Sequence, residues 1–376
     1  MIYKQFRDLK LSTLGLGAMR LPVLDKDEGK IDEAATAEML AVAMEKGINY
    51  YDTAWMYHKE NSEIVLGKLL KKYPRDSFYL ASKFPGFAQD RIDNPAKIFE
   101  RQLEKCQVEY FDFYLLHNLN EENAHWYTDP KYGLMDYLVE QKKNGRIRHL
   151  GVSVHGTYET LKAFLDMHGE HIEFCQIQLN WLDWTFQDAK AKVELLRERN
   201  ISVWVMEPLR GGKLVKMAAE NEQTLRALRP EASPVEWAFR FLQTIPEVTV
   251  TLSGMSDLQQ LEDNIRIFET AQPLNDAEWN ALQAISEELQ KTKTVPCTAC
   301  RYCTSNCPQG LDIPVLLDMY NDYNVSGGEG IPFGMKDIPE EKQPAACLGC
   351  RACEAVCPQQ IKISEVLADF DAKMKG

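Results

Sequence analysis

Phe111-Asp112-Phe113-Tyr114-Leu115-Leu116-His117 is a short, almost unbroken apolar run that ends on a histidine. A strand covered on both faces lacks the apolar/polar alternation of a half-exposed sheet, so this run predicts a strand of a buried, parallel sheet. Comparable runs span Thr13 to Met19, Ile48 to Ala54, Phe78 to Phe84, Ile147 to Val154, Phe174 to Leu179, Ile201 to Met206 and Val248 to Ser253. Helix-like segments separate them, among them Ala34 to Lys46, Pro95 to Gln107, Gly133 to Lys143, Tyr158 to Met167, Asp188 to Glu198 and Pro234 to Leu242. The residues before the first run read as a capping hairpin. Strands alternating with helices in this way, over about 290 residues, fit a (β/α)8 TIM barrel. The rival is a doubly wound open sheet, but Gly15-Leu16-Gly17 stops short of that fold's G-x-G-x-x-G fingerprint.

The remainder of the chain obeys a different rule. Cys297, Cys300, Cys303 and Cys307 precede Pro308, and Cys347, Cys350, Cys353 and Cys357 precede Pro358. Each run reads C-x2-C-x2-C-x3-C-P, the bacterial ferredoxin pattern for 4Fe-4S clusters. A structural zinc also takes thiolate pairs two residues apart. It gives no reason for a third cysteine at the same spacing and a proline after the fourth, in both runs. In two-cluster ferredoxins the fourth cysteine of each run ligates the other cluster. The first cluster would then take Cys297, Cys300, Cys303 and Cys357, and the second Cys347, Cys350, Cys353 and Cys307. Between the runs, Asp312 to Tyr323 reads as a helix and Gly327-Gly328-Glu329-Gly330 as part of a surface loop. The domains expected are residues 1–290, a barrel, and 291–376, a small helical ferredoxin-type module. Cys106 and Cys175 read as buried small apolar residues.

The chain has 376 residues and a formal net charge of -13, which disfavours a nucleic-acid partner because phosphate binding needs a basic face. Nowhere do about 18 apolar residues run together, and the first residues lack a secretory pattern. Cysteines spaced for clusters instead of disulfides suit a reducing compartment. The expectation is a cytoplasmic protein without a membrane span.

Barrel enzymes place their chemistry at the C-terminal ends of the strands. Asp52 ends the second strand, Lys83 the third and His117 the fourth, and Tyr57 lies in the loop after the second. Each alone has a bland reading, as a loop aromatic, a solvated charge or a polar strand end. Together they put an acid, a phenol, an amine and an imidazole on one rim.

These residues carry a resemblance to the aldo-keto reductase family, over roughly residues 9 to 270. It rests on Tyr51-Asp52-Thr53-Ala54 with Tyr57, on Ala81-Ser82-Lys83 and on Leu115-Leu116-His117. The order and spacing match that family's catalytic tetrad. The resemblance implies reversible hydride transfer between NAD or NADP and a carbonyl or alcohol, with the cofactor extended across the barrel mouth. Tyr57 would be the proton donor. Lys83 would lower the phenol's pKa from near 10, Asp52 would orient the lysine, and His117 would position the carbonyl.

It further implies that Ser153 and Gln176 bind the carboxamide, although Val154 follows where many members have Asn. Met206 stands where many have an aromatic against the nicotinamide. Gly17, Met19, Pro208 and Leu209 would line the cofactor, and Gly211 and Gly212 would let backbone approach the pyrophosphate. Gly254, Ser256 and Asn264 fall in the adenosine region. Gln260 replaces the basic residue many members use for the 2'-phosphate, which leaves NADH open, and Arg266 compensates only if it turns inward. Trp55, His58 and the loop from Asn118 to Tyr132, with His125, Trp126 and Tyr127, are expected to wall the substrate pocket, with Glu207 facing it. Aromatic walls with polar groups suit a sugar, a polyol or a small polar carbonyl.

Nicotinamide gives up two electrons as hydride, whereas each cluster takes one. Three readings follow: a nicotinamide oxidoreductase with structural or regulatory clusters; an enzyme that couples substrate to a redox partner protein through a bound flavin; and a non-enzymatic cluster-bearing sensor or binding protein.

Overall fold

The computed structural model describes residues 1–86, 88–290, 294–325 and 334–375. The Gly327-Gly328-Glu329-Gly330 stretch lies outside them. Two antiparallel strands, β1 (Tyr3–Phe6) and β2 (Leu9–Ser12), form the N-terminal hairpin. Eight strands then close a barrel in chain order: β3 (Leu14–Gly17), β4 (Tyr50–Asp52), β5 (Tyr79–Phe84), β6 (Phe111–Leu119), β7 (Ile147–Val154), β8 (Phe174–Gln178), β9 (Ser202–Met206) and β10 (Val248–Ser253), which returns to β3. Every neighbouring pair is parallel.

The apolar runs form strands because both faces are covered. All positions of β6 are buried, Asp112 and His117 included. At the N-terminal ends of the strands, Phe6 of the hairpin enters the barrel, its ring centroid 5.0 Å from Trp204 and 5.7 Å from Phe113. Tyr50, Phe174, Val250 and Leu252 complete that layer. A Cβ on Gly151 would lie 2.5 Å from the Phe174 ring, so the glycine admits the aromatic. Side-chain caps start the outer helices: Asp32 accepts from the amides of Ala34 and Ala35 at Glu33–Glu45, Thr157 from Thr160 at Tyr158–His168, and Ser233 from Glu236 at Pro234–Gln243.

The chain divides into two compact units, Met1–Pro208 with Glu231–Trp279, and Leu209–Pro230 with Asn280–Gly376. The excursion Leu209–Pro230, read from sequence as part of the barrel, therefore groups with the cysteine-rich unit. The reason is local: Gly211, at φ +67, packs so closely on Thr298 that a Cβ would lie 1.9 Å from its carbonyl oxygen. The second unit has its own apolar core, formed by Leu311, Leu316, Leu317 and Tyr323 around helix Ile313–Val325 and by Ile363, Leu367 and Phe370 of helix Ile363–Lys375. Among the described residues no helix is long and apolar enough to cross a membrane.

Candidate active site and cluster sites

Register brings the rim residues together. β4 pairs Asp52 with Ala81 of β5, and β5 pairs Lys83 with Leu115 of β6, two residues before His117. The turn after β4 lifts Tyr57 over the strand ends, its amide donating to the Ala54 carbonyl. The Lys83 ammonium donates to Asp52 Oδ1 at 2.5 Å, to the Thr53 carbonyl at 2.9 Å and to Tyr57 Oη at 3.2 Å. An ammonium has three N–H groups, so all are spent. The Tyr57 and His117 rings stand edge to face, centroids 6.0 Å apart. All four residues are buried.

Burial pushes the Lys83 pKa down and that of Asp52 up, and their contact opposes both shifts. With an acceptor on each N–H, the charged pair is the state this geometry fits. His117 is held well below its usual value by burial, by the Lys83 cation and by His155, so its imidazole is neutral at neutral pH.

Several supporting residues carried no sequence signal of their own. Gln102 Nε2 donates to the Lys83 carbonyl at 3.0 Å and to Glu63 Oε1 at 2.6 Å, and lies 3.0 Å from Ser82 Oγ, which itself donates to Glu63 Oε1 at 2.6 Å. Glu63 is fully buried and pairs with Lys105 at 2.8 Å. Polar residues on the barrel-facing sides of two helices were the available clue. Tyr127, expected to wall the pocket, is buried and donates to the His117 carbonyl at 2.6 Å. His58 is also engaged elsewhere: its Nε2 accepts from the Leu21 amide at 3.0 Å and its Nδ1 meets the Glu28 carbonyl at 2.8 Å. That leaves no ring nitrogen for a substrate. Trp55 and Trp126 are half-buried, Trp55 donating to Glu60 at 2.7 Å, and Trp126 beside the exposed His125 ring at 5.0 Å. Glu207 takes a left-handed φ of 58° at the end of β9 and accepts at its carbonyl from Asn180.

Ser153 and Gln176 are register partners on β7 and β8. Ser153 Oγ accepts from the Asn118 amide at 3.3 Å, Gln176 Nε2 contacts Met206 Sδ at 3.5 Å, and Gln176 Oε1 is buried without a partner. Gly17 and Met19 follow at the end of β3, and Pro208 and Leu209 after β9. Gly254 lies under the Arg20 side chain, whose carbons are 3.2–3.3 Å from a would-be Cβ. The Ser256 amide donates to Gln260 Oε1 at 3.0 Å, while Asp257 caps helix Leu258–Ile267 and accepts from the Gln260 amide and from its Nε2. Asn264 is buried with its amide spent on Ser253 Oγ at 3.1 Å. Arg266 pairs with Asp263 at the other end of that helix and so does not turn inward. Gly211 makes its close backbone approach to Thr298, whereas Gly212, φ +93, has nothing within 4 Å of a would-be Cβ.

In the second unit Cys297, Cys300, Cys303 and Cys357 line one cavity, and Cys307, Cys347, Cys350 and Cys353 line another. The chain repeats its backbone around them. Ala299 and Arg301 (φ 54° and 64°) correspond to Gly349 and Arg351 (64° and 60°), and Gly310 to Gln360 (59° and 51°). Left-handed residues between right-handed ones form amide nests of the kind that hold iron-sulfur anions, and the Ala299 amide already points at Cys297 Sγ, 3.4 Å away. Each set of four cysteines lines a single cavity. The donor set and the nests fit a cubane cluster.

The aldo/keto reductase family model matches residues 13–287, and a 4Fe-4S dicluster domain matches residues 296–361. The chain belongs to the aldo/keto reductase family. Among curated aldo/keto reductases and their relatives, it is 25% identical over 291 residues to a probable aldo-keto reductase 1 of Glycine max, covering 68% of this chain and 80% of that one. It is 23% identical to the NADH-specific methylglyoxal reductase of Escherichia coli, covering 76% of this chain and 97% of that one. Among solved aldo/keto reductases, AKR11C1 of Bacillus halodurans in its holo form superposes with a TM-score of 0.62 at 24% identity, over 76% of this chain and 96% of that one. A Klebsiella pneumoniae member in complex with NADPH superposes with a TM-score of 0.60 at 18% identity, over 76% and 96%. Both likenesses are of fold.

Proposed function

We propose that this aldo/keto reductase interconverts short polar carbonyl compounds and their alcohols with NADH preferred over NADPH, and that its cluster module stands outside the hydride path. The observation that carries the reading is the buried Lys83 ammonium, spent on Asp52, Thr53 and Tyr57. When bound, a reduced nicotinamide supplies the hydride. Tyr57 Oη gives its proton to the substrate oxygen as negative charge develops there. Lys83, 3.2 Å from that oxygen, stabilises the phenolate left behind. Asp52 balances the ammonium, which buried and unpaired would cost several kcal/mol. Neutral His117 offers an N–H to the same substrate oxygen and orients the carbonyl. In the oxidation of an alcohol the proton returns to Tyr57.

For the cofactor, Gln176 Oε1 is a buried acceptor suited to a carboxamide N–H, with Ser153 beside it. Met206 would pack on the ring, and Gly17, Met19, Pro208, Gly254 and Ser256 would line the nucleotide. The NADH preference rests on the Ser256–Gln260 turn. It presents the Asp257 carboxylate and the Gln260 amide already bonded to it, and Gln260 itself offers a 2'-phosphate no charge. The NADH-specific relative agrees with this choice and suggests short dicarbonyls as first substrates. The eight cysteines would hold two 4Fe-4S clusters with crossed ligation, as the two cavities group them.

A second reading, electron transfer to a partner protein through a bound flavin, is favoured by one observation: Cys350 is exposed beside Leu348, which is 64% exposed. Anaerobic NADH oxidation with methylglyoxal and related short carbonyls tests the first reading. Turnover with NADH, and no better turnover with NADPH, is expected. Flavin absorption surviving acid bleaching of the clusters, or prereduced clusters reoxidised by NAD at the turnover rate, would replace it with the second.

A further inference from the structure

The turn after β7, at the mouth end of the barrel, is pinned along its backbone and leaves one side chain unspent. The His155 and Gly156 amides both donate to the Leu119 carbonyl at the end of β6, at 3.0 and 2.9 Å. The Gly156 carbonyl accepts from the buried Lys192 at 2.8 Å, and the Thr157 amide donates to Glu121 at 2.7 Å. A Cβ on Gly156 would lie 3.0 Å from Asn120 Cα, so the turn packs directly on the loop after β6. By contrast, Nδ1 of the His155 ring is buried without a partner.

Position aims this ring at the tetrad. Side chains two residues apart along a strand share a face, and His155 continues the alternation of Ser153 one step past Val154, the last residue of β7. Ser153 Oγ reaches the amide of Asn118, the residue after His117. Neighbouring strand ends stand about 4.8 Å apart, so imidazoles on β6 and just past β7 can serve two oxygens of one small molecule. Electrostatics agrees with the placement. Burial, Lys192 and Lys83 together keep the His155 ring neutral, and His155 in turn acts on His117.

Other polar groups expected around the pocket are already engaged, His58 with the Leu21 amide and the Glu28 carbonyl, and Tyr127 with the His117 carbonyl. Tyr57 and His117 are taken up by the reacting oxygen. A neutral imidazole offers one N–H and one bare nitrogen, the complement of a hydroxyl or a carbonyl. A buried polar atom left unsatisfied is costly, so a partner that arrives with the substrate adds to binding.

We propose that His155 is a substrate-binding residue that hydrogen-bonds the oxygen on the carbon next to the reacting carbonyl, and so selects 2-hydroxy and 2-oxo aldehydes over plain ones. The proposal rests on the carbonyl-reduction reading above and narrows its substrate class.

Glycolaldehyde and propanal are the probes, since they match in size and differ by a hydroxyl in place of a methyl group. Initial rates on the full-length holoprotein with saturating NADH give kcat/KM for each, and the ratio within one preparation is independent of how much of a variant folds. The wild-type protein should favour glycolaldehyde. His155→Phe should lower that ratio by about tenfold, through a raised KM for glycolaldehyde with propanal unchanged, as expected of a lost binding contact. His155→Asn, whose amide stands where Nδ1 stood, should keep most of the preference. An unchanged ratio in His155→Phe, an equal loss on both aldehydes, or a wild-type preference for propanal overturns the assignment while the carbonyl reading stands. Failure of the wild-type protein to reduce either aldehyde with NADH or NADPH overturns the carbonyl reading, and this assignment with it.

Discussion

Lys83 has no donor left to lose: each N–H has an acceptor, and one of them is the phenol proposed to move the proton. Tyr57→Phe removes the acid and leaves the cofactor contacts alone. Carbonyl reduction should fall by about 10²–10⁴-fold, with the Kd for NADH, read by quenching of protein fluorescence, unchanged. Lys83→Met should be comparably damaging, because a thioether on the same stem cannot steady a phenolate. Wild-type turnover by Tyr57→Phe on a genuine substrate would remove Tyr57 from the proton step. At the nucleotide's far end, Gln260→Arg places a guanidinium where Asp257 now holds an amide, and should improve NADPH binding by about tenfold, the worth of a charge-assisted bond. Calorimetry with NADPH and NADH on the same preparations measures it; an unchanged ratio would mean that the 2'-phosphate lies elsewhere.

Elements were the most legible level. The eight strands lie where the apolar runs stand because a barrel strand is covered on both faces, and β7, for one, runs from Ile147 to Val154 as read. The helix read from Pro234 starts there, and the one read from Ala34 starts one residue earlier, at Glu33. The rim residues were legible because strand ends in a barrel converge by topology alone. Contacts decided by folding back of distant chain were not. Nothing local tells that His58 will spend both nitrogens on backbone, or that Gly211 will face Thr298 across a long excursion. The Glu63–Gln102–Lys105 cluster is of the same kind, since buried polar residues on two separate helices reveal their partners only in three dimensions. Gln102 steadies β5 at Lys83. Gln102→Leu should therefore cost about 1–3 kcal/mol of stability by leaving Glu63 and the Lys83 carbonyl short of a donor, and should lower kcat more than it raises KM. Urea unfolding and steady-state kinetics on one preparation would show it; a stability loss without a kcat effect would make the network structural only.

For the molecule as a whole, acid is the condition to watch. His117 lies well below its ordinary value, and His155 is pushed down to about 3 by burial, by Lys192 and by Lys83. Below about pH 6.5 the unfolded chain binds two protons that the folded chain refuses, so stability is intact above that pH and falls as pH drops toward the folded values. From pH 7.5 to 5.5 these two groups alone should cost about 3 kcal/mol. Urea midpoints followed by tryptophan fluorescence at both pH values test this, and His155→Asn should remove about half the loss; identical midpoints would show that both rings are protonated in the fold. Anaerobic protein should also contain about eight iron per chain. Cys357→Ser should spoil the cluster of Cys297, Cys300 and Cys303, and damage confined to the other cluster would reverse the proposed wiring.

The crossed cysteine sets have a mechanical consequence. In the wiring proposed above, Cys357 would be joined through iron to Cys297, and Cys307 to Cys347, so that each cluster would tie the head of one repeat to the tail of the other. A bridge from Cys297 to Cys357 restrains the unfolded chain as a disulfide over the same span would, by about 4 kcal/mol on the chain-entropy estimate. The small helical core then need not hold the module by apolar packing alone. Oxidative loss of iron would release two staples at once and leave the second unit to fray while the barrel keeps its own closed sheet.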